Sequence, residues 1–333
     1  VKVAFNFLRN VLKKHKLKLA VLVLSPILFI HLTFDYSNLS GLATETINRA
    51  LSGGGGARSA ANLRLVFSDI SFHALPIVGI GMVDLVVDMP SQFARPLNID
   101  RVIVGPEWRS LLSFRLGGFQ TTASGLWNGN LELSMRPLKA KTNQDQKLGI
   151  DLQIEDLSLQ QILKQFPLAV PLAGTIGGKV DGEWDSSWNP QPKGEISIEI
   201  SNFRVSKTTI VNGILIPKMT LKNISLKTQM KEGKITISEL KIGKEGDPIV
   251  GIISGEADIK WPLPAIRNPA DLPIRYRLNV DLSLNEEMQA AFGSYLLAHP
   301  LSRFSQKKPG YTRYAAKLIA QKLGDLDPKI EAL

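Results

Sequence analysis

Nucleophiles, general bases and metal ligands are scattered along this chain. The four histidines, His15, His31, His73 and His299, lie in separate regions. Neither a clustered metal site nor a histidine-based dyad has support in that spacing. Cysteine is absent, which excludes cysteine-based zinc sites, iron–sulfur clusters and thiol catalysis. No Gly-x-Ser-x-Gly turn occurs. Ser238 with Lys241, and Ser305 with Lys308, have the spacing of a serine nucleophile and a lysine base, but the companion Ser-Asp-Asn and Lys-Thr-Gly elements are missing. On a strand, Ser238 and Lys241 also point to opposite faces. Carboxylates gathered from distant strands could build a glycosidase pair, yet Asp and Glu fall mainly at alternating positions or turns, as on a solvated face. The expectation is a protein with no catalytic residue, no cofactor and no metal.

Aromatic residues offer the other chemistry. Trp127, Trp184, Trp188 and Trp261 could form a platform for sugar or lipid, or fill a β core with large side chains. Trp108, Trp127, Trp184, Trp261, Tyr311 and Tyr314 are the candidate contacts for a partner or a lipid.

The elements that must position these residues read as strands. From residue 61 the periodicity is alternating: Leu63, Leu65 and Phe67 alternate with Arg64, Val66 and Ser68, and Ile80, Met82, Asp84 and Val86 open a second strand. Similar runs cover 98–104, 119–123, 126–135, 148–154, 175–184, 195–203, 210–216, 219–230, 234–242, 249–261 and 274–284. Short turns between them predict an antiparallel meander. Glycines recur through the runs, as at Gly125, Gly174 to Gly182 and Gly251 to Gly255, where they would let a long sheet curl. Helices are expected from Ser158, ended by Pro167; from Asn285 to about Ala298; and over 107–116, each plugging an end or edge of the sheet.

Ahead of the strands lies Leu17 to Phe34, LKLAVLVLSPILFIHLTF. As a helix it measures roughly 27 Å, close to a bilayer's hydrocarbon core. Leu19, Leu22, Leu24, Pro26 and Phe29 lie inside this span, and Lys13, Lys14, Lys16 and Lys18 flank its start. The cationic flank stays cytoplasmic, so the rest of the chain lies across the membrane. A cleaved signal peptide is the competing reading, but the small residues of Gly41-Leu42-Ala43 lie too far past the apolar run. The predicted domains are therefore a basic cytoplasmic segment (1–16), a transmembrane helix (17–34), an amphipathic stem with a glycine-rich linker (35–60), an antiparallel β domain (61–300) and a basic tail (301–333). The tail is read as a short amphipathic helix, or as a segment that orders on meeting a partner.

The net charge of +10 sits at the two ends: Lys2 to Lys18 carries +6, and so does Arg303 to Lys322. The β region is neutral. A nucleic-acid partner is thereby excluded, because it needs a basic stripe on the folded surface. Basic termini fit anionic headgroups or acidic partner surfaces.

The order of these features, with Leu63 to Pro90, Gly174 to Trp184, Gly194-Glu195-Ile196-Ser197, Asn212 to Pro217 and Ile253 to Ile259, resembles the N component of the bacterial type II secretion system. The likeness is to its divergent branch, which is related to AsmA-like envelope proteins with long, curled β-grooves, and it covers most of residues 10–300. The resemblance implies a mainly β periplasmic domain on a single inner-membrane helix. It also implies a non-catalytic scaffold that meets other secretion or envelope proteins. The AsmA side of the likeness implies a groove that binds or transfers phospholipid. Several strands are partly apolar on both faces, so the sequence leaves open whether such a groove is open.

Overall fold

A computed structural model describes residues 64–73, 79–89, 93, 95–107, 118–138, 147–165, 171–185, 187–209, 215–262, 273–298, 300–322 and 329–333, with 41 and 44–46 ahead of them. The expected anchor over 17–34, the orienting lysines, nearly all of the stem, and the 107–116 helix apart from Glu107 lie outside the described residues. No helix among the described residues is long and apolar enough to cross a membrane.

Strands dominate. β1 (Arg64–Val66), β2 (Asp69–His73), β3 (Gly79–Asp88), β4 (Leu97–Pro106), β5 (Phe119–Leu126) and β6 (Gly129–Pro137) open the fold. β7 (Lys147–Ser158) runs into helix α1 (Leu159–Gln165), followed by β8 (Leu172–Asp185) and β9 (Lys193–Val205). A separate two-stranded pair, β10 (Thr208–Thr209) and β11 (Leu215–Ile216), precedes β12 (Met219–Lys231), β13 (Lys234–Ile242), β14 (Ile249–Asp258) and β15 (Arg275–Asn285). Helix α2 (Glu286–Ala298) and a 3-10 turn (Pro300–Phe304) lead to β16 (Ser305–Lys308), β17 (Tyr311–Ala320) and β18 (Lys329–Ala332).

Apart from β10 and β11, all the strands form one antiparallel sheet in nearly sequential order. β1 and β2 both pair with β3, and β16 and β18 both pair with β17, so each margin is a single interrupted strand. The sheet is fourteen positions wide, about 62 Å at the usual strand spacing. Its first and last strands do not pair with each other, which leaves it open.

Register separates its two faces. One row of paired residues runs Ile70, Met82, Val102, Ala123, Leu131, Ile154 and Gly178. It continues through Ile198, Leu226, Leu240, Ile253, Val280, Ala316 and Ala332. Every position in that row is apolar. The neighbouring row on the other face reads Thr122, Glu132, Gln153, Lys179, Ser197, Lys227 and Glu239. Ion pairs tie strands together on this polar face, among them Lys193–Glu183 at 2.9 Å, Lys234–Glu256 at 2.6 Å and Arg313–Asp281 at 2.6 Å.

Near one end of the strands the alternation breaks along a crease. Asp84, Gly125, Asp156, Gly174 and Asn202, on β3, β5, β7, β8 and β9, all have positive φ. Asp and Asn tolerate this left-handed region better than other side chains do. The pairing register slips at Gly125, next to Asp156 and at Gly174. Such bulges add local twist and re-aim side chains. Beyond the crease Leu85, Leu157 and Val205 turn into the interior and are buried. The expected phase through Asp84 and Val86 is corrected accordingly: at Asp84 the buried position moves to Leu85.

Both helices pack at this same end. Ser158 Oγ accepts from the Gln161 N–H at 3.4 Å to cap α1, and Asn285 Oδ1 accepts from the Met288 N–H at 2.9 Å to cap α2. α2 buries Met288 completely against Leu284 and Tyr314, with Phe292 beside them. Two further expectations are corrected. The run 126–135 is not one strand, because Trp127 and Asn128, both with positive φ, form a two-residue hairpin turn between β5 and β6. The sheet also does not stop at residue 300: the basic tail supplies β16, β17 and β18. Arg313 and Lys317 are paired within it to Asp281 and Glu331, which neutralises part of the charge assigned to a free tail.

Gly255, with φ +148, places its α-carbon where an added Cβ would collide with the Arg277 carbonyl oxygen of β15. Gly255→Ala should therefore cost about 3 kcal/mol in chemical unfolding, by forcing β14 and β15 apart. The Arg313 hydrogen bond holds the Asp281 carboxyl below the usual carboxylate range, against opposing desolvation. That contribution is complete above the ordinary carboxylate pKa and is lost as pH falls through the depressed value. The Tm gap between wild type and Asp281→Asn should be present at neutral pH and close on acidification.

Candidate functional site

Among the described residues the apolar face has a cover only in places. At the N-terminal side Phe67, Leu85, Ile99, Val102, Ala123 and Leu126 form a buried cluster, and at the C-terminal side α2 forms the second. Between them Leu152, Ile154, Val180, Ile196, Ile198, Leu226, Leu240 and Ile253 are half-buried. No second sheet or long helix among the described residues lies over them. At the end opposite the helices the face is more open still: Ile80 is 55% exposed, Val104 37% and Phe119 38%.

This open end carries the tryptophans. Trp184 stands on the apolar face opposite Leu148. Its ring lies 5.1 Å from that of Trp188, which stacks on Trp261 at 5.6 Å with an interplanar angle of 11°. Trp184 is the last residue but one of β8 and Trp261 follows β14, four positions away across the sheet, about 19 Å along a flat ladder. Two ring-to-ring steps bridge that interval, so strand ends and loops are drawn together there. Gln191 clamps the bridge: its Nε2 donates to the Trp188 and Trp261 carbonyls, both at 2.9 Å, and its Oε1 accepts from the Trp261 N–H at 2.8 Å. The indole N–H groups of Trp184 and Trp261 are buried and make no hydrogen bond.

Three of the four tryptophans considered as a platform thus meet. Trp127 does not join them; it packs on the N-terminal cluster at the helical end, and its carbonyl accepts from the Ser158 N–H at 2.8 Å. Trp108 lies outside the described residues. Tyr311 is 39% exposed with the Lys308 ammonium 6.0 Å from its ring. Tyr314 is buried and donates to Gln289 Oε1 at 2.7 Å, so it fastens β17 to α2 instead of offering a surface.

Sequence reasoning missed Gln191 altogether, because its partner Trp261 is 70 residues away. Asp185 was missed as well, although a signal was present. Its Oδ1 accepts from the Ser187 N–H at 2.9 Å and from Ser187 Oγ at 2.5 Å, the local turn that Asp favours with a residue two places on. These two bonds, the side-chain one first, hold the Asp185 carboxyl below the usual carboxylate range.

Among the described residues no group of His, Asp and Glu could hold a metal ion. Ser71 Oγ and His73 Nε2 lie 2.9 Å apart on β2, a juxtaposition not foreseen from the sequence, but Asp69 directs its Oδ1 to the Ile70 N–H. Lys241 of the Ser-x-x-Lys pair is bound to Glu239 at 2.6 Å. Comparison with protein families, curated proteins and solved structures gives no match for this chain.

Gln191→Leu keeps the side-chain bulk and removes all three hydrogen bonds. It should cost about 2 kcal/mol, red-shift the tryptophan emission and increase acrylamide quenching, with the strand signal in circular dichroism unchanged.

Proposed function

We propose that the β domain holds the acyl chains of phospholipid along the apolar face of a curled, trough-like sheet, and that it serves lipid binding or transfer in a cell envelope. The carrying observation is the unbroken apolar row from Ile70 to Ala332, half-buried through its middle. Each methylene moved from water onto such a face contributes about 0.8 kcal/mol, so a lipid with two chains offsets the exposure of many strand positions. Supporting the curl are the bulged crease at the helical end and the tryptophan bridge at the other.

A secretion scaffold, the other function implied by the resemblance, would use the outer face. That face already satisfies many of its charges by ion pairs within the sheet, and the scaffold role gives the apolar row no purpose. The lipid reading accounts for both faces. An inner-membrane helix over 17–34 with a cytoplasmic start completes the proposal.

Lipid extraction and mass spectrometry of the detergent-purified full chain should find phospholipid at a defined stoichiometry. Ile198→Asp combined with Leu226→Asp, at the middle of the row, should lower it about tenfold or more. A lipid-free wild type, or equal loading in the double variant, would sink the reading.

A further inference from the structure

At the tryptophan end, on the polar-face side of the strand ends, lies a recess of about 230 Å³ lined by Lys147, Trp184, Asp185, Gln191, Lys231 and Glu232, among others. Trp184 joins the two regions, since its strand position puts it on the apolar face and it also lines the recess. Asp185 is only 4% exposed. Its Oδ1 is saturated by Ser187, but its Oδ2 is buried and has no hydrogen-bond partner. An ionised, desolvated carboxylate oxygen left unpaired is costly, and a donor supplied by a ligand would remove that cost.

The surrounding charges narrow the ligand. Glu183 and Lys193, also on the wall, satisfy each other at 2.9 Å. Lys147, Lys231, Asp185 and Glu232 then leave the recess neutral overall, with both signs present. A zwitterion complements this arrangement better than an anion or a cation alone. The group facing Asp185 Oδ2 must be a hydrogen-bond donor, and of the zwitterionic headgroups a primary ammonium is one and a quaternary ammonium is not.

Building on the acyl-chain reading, we propose that this recess takes a phosphoethanolamine headgroup, with the ammonium donating to Asp185 Oδ2 and the phosphate lying against Lys147 and Lys231. The lipid in the trough is then a phosphatidylethanolamine, its chains passing Trp184 onto the apolar face. Trp184 and Trp188 act as the wall between headgroup and chains.

The test loads the purified full chain from mixed micelles holding equal amounts of chain-matched phosphatidylethanolamine and phosphatidylcholine, and reads the bound ratio by mass spectrometry. The wild type should favour the ethanolamine lipid about tenfold, the worth of a charge-assisted hydrogen bond. Asp185→Asn keeps an acceptor for Ser187 and should bring the ratio to parity with total loading unchanged. Lys231→Gln, which leaves the Asp185 carboxylate and its Ser187 bonds in place, should lower loading of both lipids and preserve their ratio. Equal loading by the wild type, or an undiminished preference in Asp185→Asn, overturns the headgroup site while the acyl-chain reading stands. No loading of either lipid overturns the acyl-chain reading. The recess then survives only as a site for the free headgroup, if phosphoethanolamine alone shifts tryptophan emission in the wild type and not in Asp185→Asn; without that shift it falls too.

Discussion

An apolar sheet face has to be covered, and the described residues of this chain cover it only in part. In a sandwich a second sheet supplies the cover, and in an α/β fold helices do. Here α1 has seven residues and no buried one, and α2 guards only the C-terminal side. Midway along the central strands the Leu, Ile and Val side chains of this face are half-buried. The rest of the structure follows from handling that face: charges are confined to the other side, the margins are short interrupted strands, and the two ends are finished differently.

The ends differ in their chemistry. At the helical end, left-handed Asp, Asn and Gly residues on successive strands change the side-chain phase, so that Leu85, Leu157 and Val205 turn inward. Helix caps and the buried Met288 complete a closed boundary there. At the other end the finish is aromatic. Three tryptophans in ring contact, two of them held by one glutamine, span the strand ends, and charged groups of both signs lie immediately outside them. Such a boundary between apolar and charged surroundings is where indole rings sit best, since they present a broad apolar body and a polar edge.

Much of the sheet was legible in advance because alternation is a local property. β7, β9, β12 and β13 lie close to where their apolar periodicity places them, and the caps at Ser158 and Asn285 follow from side chains within three residues of the bond they make. Errors arose where one residue changes the backbone without changing the pattern. Asp84 reads as an ordinary polar strand position, yet its left-handed φ shifts the buried phase. Trp127 reads as strand because it is large and apolar, while the turn it forms is specified by Asn128 and Gly129 beside it. The basic tail after Pro300 reads as a short amphipathic helix or as a segment that orders on meeting a partner, but the edge of β15 recruits its residues 311–320 as β17. Pairing to an existing edge outweighs weak local propensity.

The sequence by itself determined the mainly β class, the antiparallel order and the confinement of charge to alternate positions, since each depends on neighbours a few residues apart. Only the tertiary structure decided that the apolar positions of fourteen strand places line up as one row, because that requires every register between Ile70 and Ala332 to be right at once. It also decided that Trp184, Trp188 and Trp261 meet, and that Asp185 keeps a buried oxygen without a partner. These are contacts between parts of the chain up to 70 residues apart, whose energies exist only after the intervening strands have paired.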